Sequence, residues 1–334
     1  MSTLNTVADQ TAAAAFDAAA GDLGAGSDYL DALLAHGLLI ATGVHGLYGR
    51  SACFEDVVER VNLMIGAWGA GRDVEVLRFP PAMSRQLLEQ SGYLRGFPDQ
   101  VGTVFGFCGD DRAHRRLLQC LDRQDQGNDN DDDERWTDSL TPTQVVMTPV
   151  ACYPVYPVIA RRGPLPPQGH TVDIFSYCFR HEPSLDPERM QLFRQREYVH
   201  MGQPEAVLAF REQWLDYALD MMGRLELPAT IGVANDPFFG RAGKIAAEFQ
   251  RNQQLKFELL IASLNPDKPI ACGSFNYHTD RFGSLWRIVT ADGAIAHTGC
   301  CGFGLERLAL SLFKQHGFAT EAWPPGVRAA LWGE

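Results

Sequence analysis

The spacing of apolar residues predicts a mixed succession of helices and strands. In FEDVVERVNLMIGAW (54–68) apolar positions recur at three and four residues, the pattern of an amphipathic helix. VEVLRF (74–79) alternates and predicts a short strand, and Pro80-Pro81 then opens a helix running to Ser91. Another strand is predicted at 101–108, VGTVFGFC, while the spacing over 29–47 leaves helix and mixed structure open. HTVDIFSYCFRHE (170–182) and FRQREYVHMG (193–202) predict two strands joined by a polar loop. PEAVLAFREQWLDYALDMMGRLEL (204–227) carries the clearest amphipathic helix. Residues 244–264 mix helix and strand signals, with KFELLIAS (256–263) strand-like; strands follow near 270–276, 284–290 and 294–301. GFGLERLALSLFKQHG closes with a helix that Gly317 ends. Strands dominate the second half without strict βαβ alternation, so the fold class is α+β, and no internal repeat is present.

Composition narrows the class. The 334 residues are 46% hydrophobic and 21% charged, the balance of a globular chain with a large core, with length for one large domain or two modest ones. The net charge of −12 argues against a broad basic surface for nucleic acid. Half of it sits in residues 122–138, where eight acids and two arginines give −6, read as a solvated, flexible insertion lacking the register of a calcium loop. Residues 1–28 are Ala/Gly-rich and expected to fray; Asp9 and Asp17 interrupt them, so no secretory signal is read. Neither 32–49, with two His and four Gly, nor the Pro-punctuated 145–160 reads as a membrane helix, and a cytoplasmic location is expected. Eight cysteines without a CxxC pair suggest buried thiols or metal ligands, not disulfides.

Two constellations carry candidate chemistry. Phe179-Arg180-His181-Glu182 ends one strand, and a polar loop leads to Phe193 and a return strand holding Glu197. Such a hairpin presents an Arg fork to a phosphate, a Glu to an amine and a Phe face to a flat ring. The bland alternative is a cross-strand salt bridge. In GCCGFGLERLALSLF (299–313), Gly302 and Gly304 remove side chains so that a ligand lies flat on the strand, and Arg307 stands in the first turn of the next helix. The alternative there is a tight turn with a solvent-facing Arg. Neither a Walker loop nor a GxGxxG fingerprint is present.

Together the two segments resemble motifs 2 and 3 of the class II aminoacyl-tRNA synthetases, whose fold is an antiparallel β-sheet flanked by helices. TPVAC (148–152) stands where seryl-type enzymes carry a TPTxE-like segment, LPPQGHTVDIFSYCFRHE (165–182) parallels the approach to motif 2, and Phe193 and Glu197 keep that motif's offset. Residues 80–98 are compared with motif 1, the dimer element, and the resemblance as a whole covers 145–202 and 256–315. It implies that Arg180 holds the ATP α-phosphate, Glu182 the adenine amino group and Phe193 the adenine ring. Arg307 would meet the γ-phosphate and the other ring face. PIACGSFN (269–276) lacks the acid that usually binds Mg2+, leaving Glu258 or water for that ion.

Within that framework Cys152, Glu197 and a cysteine at 300 or 301 are expected on three neighbouring strands, a three-ligand zinc site with one open position. Strand parity favours Cys300, on the face of Gly302 and Gly304, and sends Cys301 into the core. The pattern resembles the atypical seryl-tRNA synthetases of methanogenic archaea, in which zinc receives the substrate's amino group. Ser274 and Asn276 are expected beside Glu197 in the amino-acid pocket. Lys256 and Glu258 would flank substrate or ATP; His278 and Asp280 read as a strand-turn segment, and His181 and His200 as structural.

About 80 residues precede the motif 1 segment, without heptads or a basic arm, and 27 follow Arg307, so no tRNA-binding domain is expected. A catalytic core of that kind resembles the amino acid:[carrier protein] ligases, truncated relatives of the atypical seryl enzymes. The resemblance implies a single-domain homodimer that uses ATP, Mg2+ and Zn2+ to load glycine or alanine onto the phosphopantetheine thiol of a carrier protein, with no tRNA or membrane partner. A minimal seryl-type tRNA ligase and a catalytically inactive regulatory relative are the alternatives.

Overall fold

The computed structural model describes residues 26–125, 135–262 and 269–333. Residues 1–25 of the start and 126–134 of the acidic insertion, both expected to be loose, lie outside the described residues. The stretch left open by its spacing forms helix α1 (Gly26–Ala35) and a hairpin of β1 (Leu39–Ala41) with β2 (Tyr48–Arg50). Ser51 caps helix α2 (Ala52–Gly66) by accepting from the Phe54 N–H at 3.3 Å, and Phe54, Val57, Val58, Val61 and Ile65 form its buried stripe.

After β3 (Glu75–Arg78) the chain departs from expectation. Pro80-Pro81 does not open a helix: Ala82–Ser84 form strand β4, paired with residues 145–147, and Ser84 then caps helix α3 (Arg85–Ser91). Tertiary pairing has overridden the local Pro signal. Helix α4 (Tyr93–Gly96) and strand β5 (Thr103–Phe107) follow. Helix α5 (Asp111–Asp125) runs into the acidic segment, so residues 122–125 are helical where a loop was expected. Strand β6 (Leu140–Met147) completes a three-stranded sheet of order β4-β6-β5.

Helix α6 (Val155–Ala160) leads to the long hairpin of β7 (His170–Phe179) and β8 (Leu192–Gly202), then helix α7 (Pro204–Arg224). Strand β9 (Ala229–Val233), helix α8 (Gly240–Asn252) and strands β10 (Lys256–Ile261) and β11 (Ile270–Tyr277) resolve the mixed signals. The strand expected over 284–290 is instead helix α9 (Arg281–Trp286), with Val289 making only an isolated bridge to Ile295. Gly283 explains this: a Cβ there would lie 1.9 Å from the Ala296 carbonyl oxygen, so only glycine lets the helix press onto that backbone. Strand β12 (His297–Gly304) starts later than expected and runs through both glycines into helix α10 (Leu305–His316); α11 (Pro325–Trp332) ends the described chain.

The large sheet has order β3-β7-β8-β12-β11-β10-β9, antiparallel throughout except for β3 beside β7. One face packs on α2, α7 and α10, burying Tyr198, Phe275, Cys301 and Phe303 against Trp214, which stacks on Trp68 at 4.6 Å. The other face meets α6 and α9, with Ile174, Val199 and Cys300 among its buried residues. No described helix is long and apolar enough to cross a membrane.

Candidate functional site

Alternation along the central strands decides what reaches the second face. On β8, Phe193, Gln195 and Glu197 point to it, whereas Arg194 and Arg196 point away into ion pairs with Glu306 and Asp173. Antiparallel register then builds two adjacent rows across four strands. One runs Glu197, Gly302, Ser274, Glu258; the other runs Val199, Cys300, Asn276, Lys256. Every candidate residue proposed from the sequence opens onto one cavity of about 470 Å³: Arg180, Glu182, Phe193, Glu197, Cys152, Ser274, Asn276, Cys300, Gly302, Gly304 and Arg307.

At one end the Arg180 guanidinium lies over the Phe193 ring, 5.4 Å from its centroid, and its Nε donates to the Pro149 carbonyl at 3.3 Å. Glu182 is held by two residues that sequence reasoning missed. Gln100 Nε2 donates to Glu182 Oε1 at 3.2 Å, and the Tyr93 hydroxyl donates to Gln100 Oε1 at 3.1 Å. Arg307 is not the solvent-facing cap of the bland alternative: its Nε and Nη1 donate to the carbonyls of Glu188 and Ala271 at 2.8 and 2.9 Å. Those two bonds fix the guanidinium and leave other N–H groups for a ligand. Burial pushes the Arg307 pKa down from its ordinary value.

At the other end, ligand atoms of Cys152, Glu197 and Cys300 lie within 4.8 Å of one another, all three residues buried. Among the described residues no other cluster of His, Cys, Asp or Glu meets that geometry. Cys300, not Cys301, joins the trio, as parity required. Cys152 does not lie on a strand as expected: it sits in the turn between β6 and α6, which folds back over the sheet. Burial, with the neighbouring Cys300 sulfur, raises the Glu197 carboxyl to about 8. A hydrogen bond between the two sulfurs pushes Cys152 well above the ordinary thiol range and Cys300 well below it. His278 Nε2 lies 3.6 Å from Cys300 Sγ, so this residue, read as part of a strand-turn segment, borders the trio.

The donor set suits a borderline-soft cation such as zinc: two thiols and a carboxyl, close enough to share one ion. Glu197 Oε2 is buried with no hydrogen-bond partner, the orphaned acceptor that a cation would satisfy. Gly302 contributes space rather than flexibility. A Cβ there would stand 3.0 Å from Glu197 Cγ, so the glycine makes room for the carboxylate as well as for a ligand.

Beyond the trio, Asn276 Nδ2 donates to Ser274 Oγ at 3.3 Å and to Cys300 Sγ at 3.4 Å. Behind it Lys256 Nζ pairs with Asp236 at 2.6 Å and Glu258 at 2.9 Å. Burial alone would raise the Asp236 carboxyl, but the Lys256 ammonium holds it below its usual value. Asp236 was not singled out from the sequence. It lies in an irregular loop after β9, and nothing local marks it as facing strand β10.

No protein-family model matches the chain. It is 46% identical to amino acid–[acyl-carrier-protein] ligase 1 of Bradyrhizobium diazoefficiens over 89% of this chain and 88% of that protein. Ligase 2 of the same organism is 45% identical over 89% and 86% of the two chains. The type-2 serine–tRNA ligase of Methanopyrus kandleri is 27% identical over 54% of this chain and 37% of its own. Among solved structures, the M. kandleri seryl-tRNA synthetase in complex with A. aeolicus tRNASec superposes with a TM-score of 0.74 at 21% identity. That match covers 91% of this chain and 60% of that one. The prolyl-tRNA synthetase of Cryptosporidium parvum gives 0.61 at 13% identity over 86% and 52%. These two likenesses bear on the fold, which is that of the class II synthetases.

Proposed function

The chain belongs to the amino acid–[acyl-carrier-protein] ligases, and from that premise we propose that its cavity holds ATP and a small amino acid side by side for adenylation. The enzyme activates an amino acid and passes it to a carrier protein. The amino-acid carboxylate attacks the α-phosphorus of ATP, giving the aminoacyl-adenylate and pyrophosphate. The carrier's phosphopantetheine thiol then attacks the mixed anhydride, forming the thioester and releasing AMP.

The residues divide that work. Arg180 would hold the α-phosphate and oppose the charge that grows on the pentavalent phosphorus. Glu182, braced by Gln100, would accept from the adenine amino group while the ring stacks on Phe193. Arg307, anchored on two carbonyls, would meet the distal phosphate and the other ring face. No covalent enzyme intermediate is needed; holding carboxylate and phosphorus in line supplies the rate. Mg2+ accompanies the nucleotide, and Glu258 would have to release Lys256 to serve it.

Cys152, Glu197 and Cys300 would hold zinc, whose chemistry there is to receive the neutral α-amine of the substrate at its open position. That preference would select amino acids over plain carboxylic acids. Asn276 and the Asp236–Lys256 pair wall the space beyond, which favours glycine or alanine. A homodimer belongs to this reading: strand β5 leaves Phe105 and Phe107, two residues apart, exposed, apolar side chains of the kind a second copy covers.

The observation that carries the proposal is the convergence of Arg180, Arg307 and the Cys/Glu/Cys trio on one cavity. The test is amino-acid-dependent ATP/pyrophosphate exchange with glycine, alanine and serine, followed by transfer to a phosphopantetheinylated carrier or to tRNA. Exchange with glycine or alanine and loading of the carrier alone are expected. No exchange with any of the three would refute the reading, and charging of tRNA alone would establish the minimal tRNA ligase instead.

A further inference from the structure

Two members of the Cys/Glu/Cys trio sit on paired strands, Glu197 on β8 and Cys300 on β12, so sheet register sets their separation. Cys152 has no such guarantee, because its turn stands outside the sheet. Backbone bonds tie the start of that segment: Thr148 N–H donates to the Pro81 carbonyl at 3.1 Å, and Phe179 N–H to the Thr148 carbonyl at 2.8 Å. Nearer the sulfur the backbone bonds stay within the turn, with Val155 N–H donating to the Cys152 carbonyl at 3.0 Å, and the ties to the sheet are side chains. Gln195 Oε1 accepts from the N–H of Ala151, the residue before Cys152, at 3.1 Å. The same oxygen accepts from the Cys178 thiol at 3.1 Å, which keeps the carbonyl end of the amide turned toward the turn.

Gln195 stands between Phe193 and Glu197 on the cavity face of β8. A single strand therefore supplies one ligand directly and holds a second through its neighbour two residues away. Ala151 is fully buried, so without Gln195 its N–H would lose its acceptor where water does not reach. The other side-chain grips on the segment come from residues already assigned a ligand: Arg180 Nε on the Pro149 carbonyl, and the Glu197 carboxylate on the Cys152 backbone N–H. Gln195 lines the same cavity but is assigned no ligand above.

We propose that Gln195 is a positioning residue of the metal trio: by fixing the Ala151 amide it sets the place of the Cys152 sulfur relative to Glu197 and Cys300, and with it the site's affinity for zinc. This rests on the zinc reading of the trio, and the two can fail separately.

The test compares Gln195→Met, which keeps length but removes the acceptor, with Gln195→Glu, which restores an oxygen. Metal-free wild type and variants are titrated with zinc against a chromophoric chelator, and their cobalt forms are read by thiolate charge-transfer absorption. Outer partners of metal ligands commonly govern affinity by about 10–100-fold, so Gln195→Met is expected to bind zinc at least about ten-fold more weakly and to lose thiolate intensity. Gln195→Glu is expected to recover most of both. Wild-type affinity and an unchanged cobalt spectrum in Gln195→Met overturn the proposal. Should that variant not fold, Gln195→Asn shortens the side chain by one methylene and withdraws the oxygen from the Ala151 N–H; weaker zinc binding there supports the role, and unchanged binding overturns it. A wild type that takes up no zinc overturns the metal reading itself, before any substitution is compared.

Discussion

Cys300 and Cys301 are adjacent yet belong to opposite faces of one strand. Cys300 lies beside Cys152 and Glu197, and Cys301 is fully buried in the core on Trp214's side of the sheet. Metal analysis should separate them. Cys152→Ala and Cys300→Ala are each expected to lose bound zinc, while Cys301→Ala keeps it and shows only the cost of a small core cavity, about 1 kcal/mol in urea unfolding. Zinc lost equally from Cys301→Ala would mean that parity had been assigned to the wrong cysteine. This choice was legible in the sequence because a strand's side chains alternate without exception unless a bulge intervenes, and none interrupts the β8–β12 register. Gln100, Gln195 and Asp236 were not legible. Each acts through a partner far along the chain, Glu182, Ala151 and Lys256 respectively, and a lone Gln or Asp carries no signal of such a partner.

At the scale of elements, helix α10 is docked to the sheet by a buried charge. Glu306 in its first turn accepts from the Arg194 backbone N–H and Nε, both at 2.7 Å, and lies 3.3 Å from Arg50. Arg194 also reaches Glu55 on α2, so one network joins two helices and β8. Glu306→Ala would strand Arg194 and Arg50 without their buried partner, and a loss of about 3–5 kcal/mol in unfolding free energy is expected. A loss under about 1 kcal/mol would indicate that water or Glu55 takes over the pairing. The same scale explains the misread elements. Pro80-Pro81 satisfies the local rule for a helix start, but pairing of Ala82–Ser84 with β6 claims the next residues. Residues 284–290 carry strand-like composition, but Gly283 lets α9 press against the Ala296 backbone, a contact invisible along the chain.

For the whole molecule, buried ionisable groups tie stability to pH. Burial, helped by the charge of His170, lowers the His200 pKa to about 4, and its Nδ1 shares a hydrogen bond with Thr171 at 2.8 Å. The fold therefore favours neutral His200, and the unfolded chain takes up the proton first. That contribution to stability, of order 3 kcal/mol, is complete above about pH 6.5 and is lost as pH falls toward 4. Urea unfolding at pH 7 and pH 4.5 should show the wild type losing more stability than His200→Gln over that interval; equal losses would place the acid sensitivity elsewhere.

The sequence by itself determined the α+β class, the hairpin and strand-to-helix segments that carry Arg180, Glu182, Phe193 and Arg307, and the choice of Cys300. All of these follow from periodicity and short-range spacing, which the backbone enforces locally. Tertiary structure alone decided that Cys152 reaches the site from a turn outside the sheet, and that Gln195 ties down that turn. It also decided that the Lys256 pair walls the pocket. The reason is physical: register and packing bring together residues tens to hundreds of positions apart, and no local pattern encodes which of them will meet.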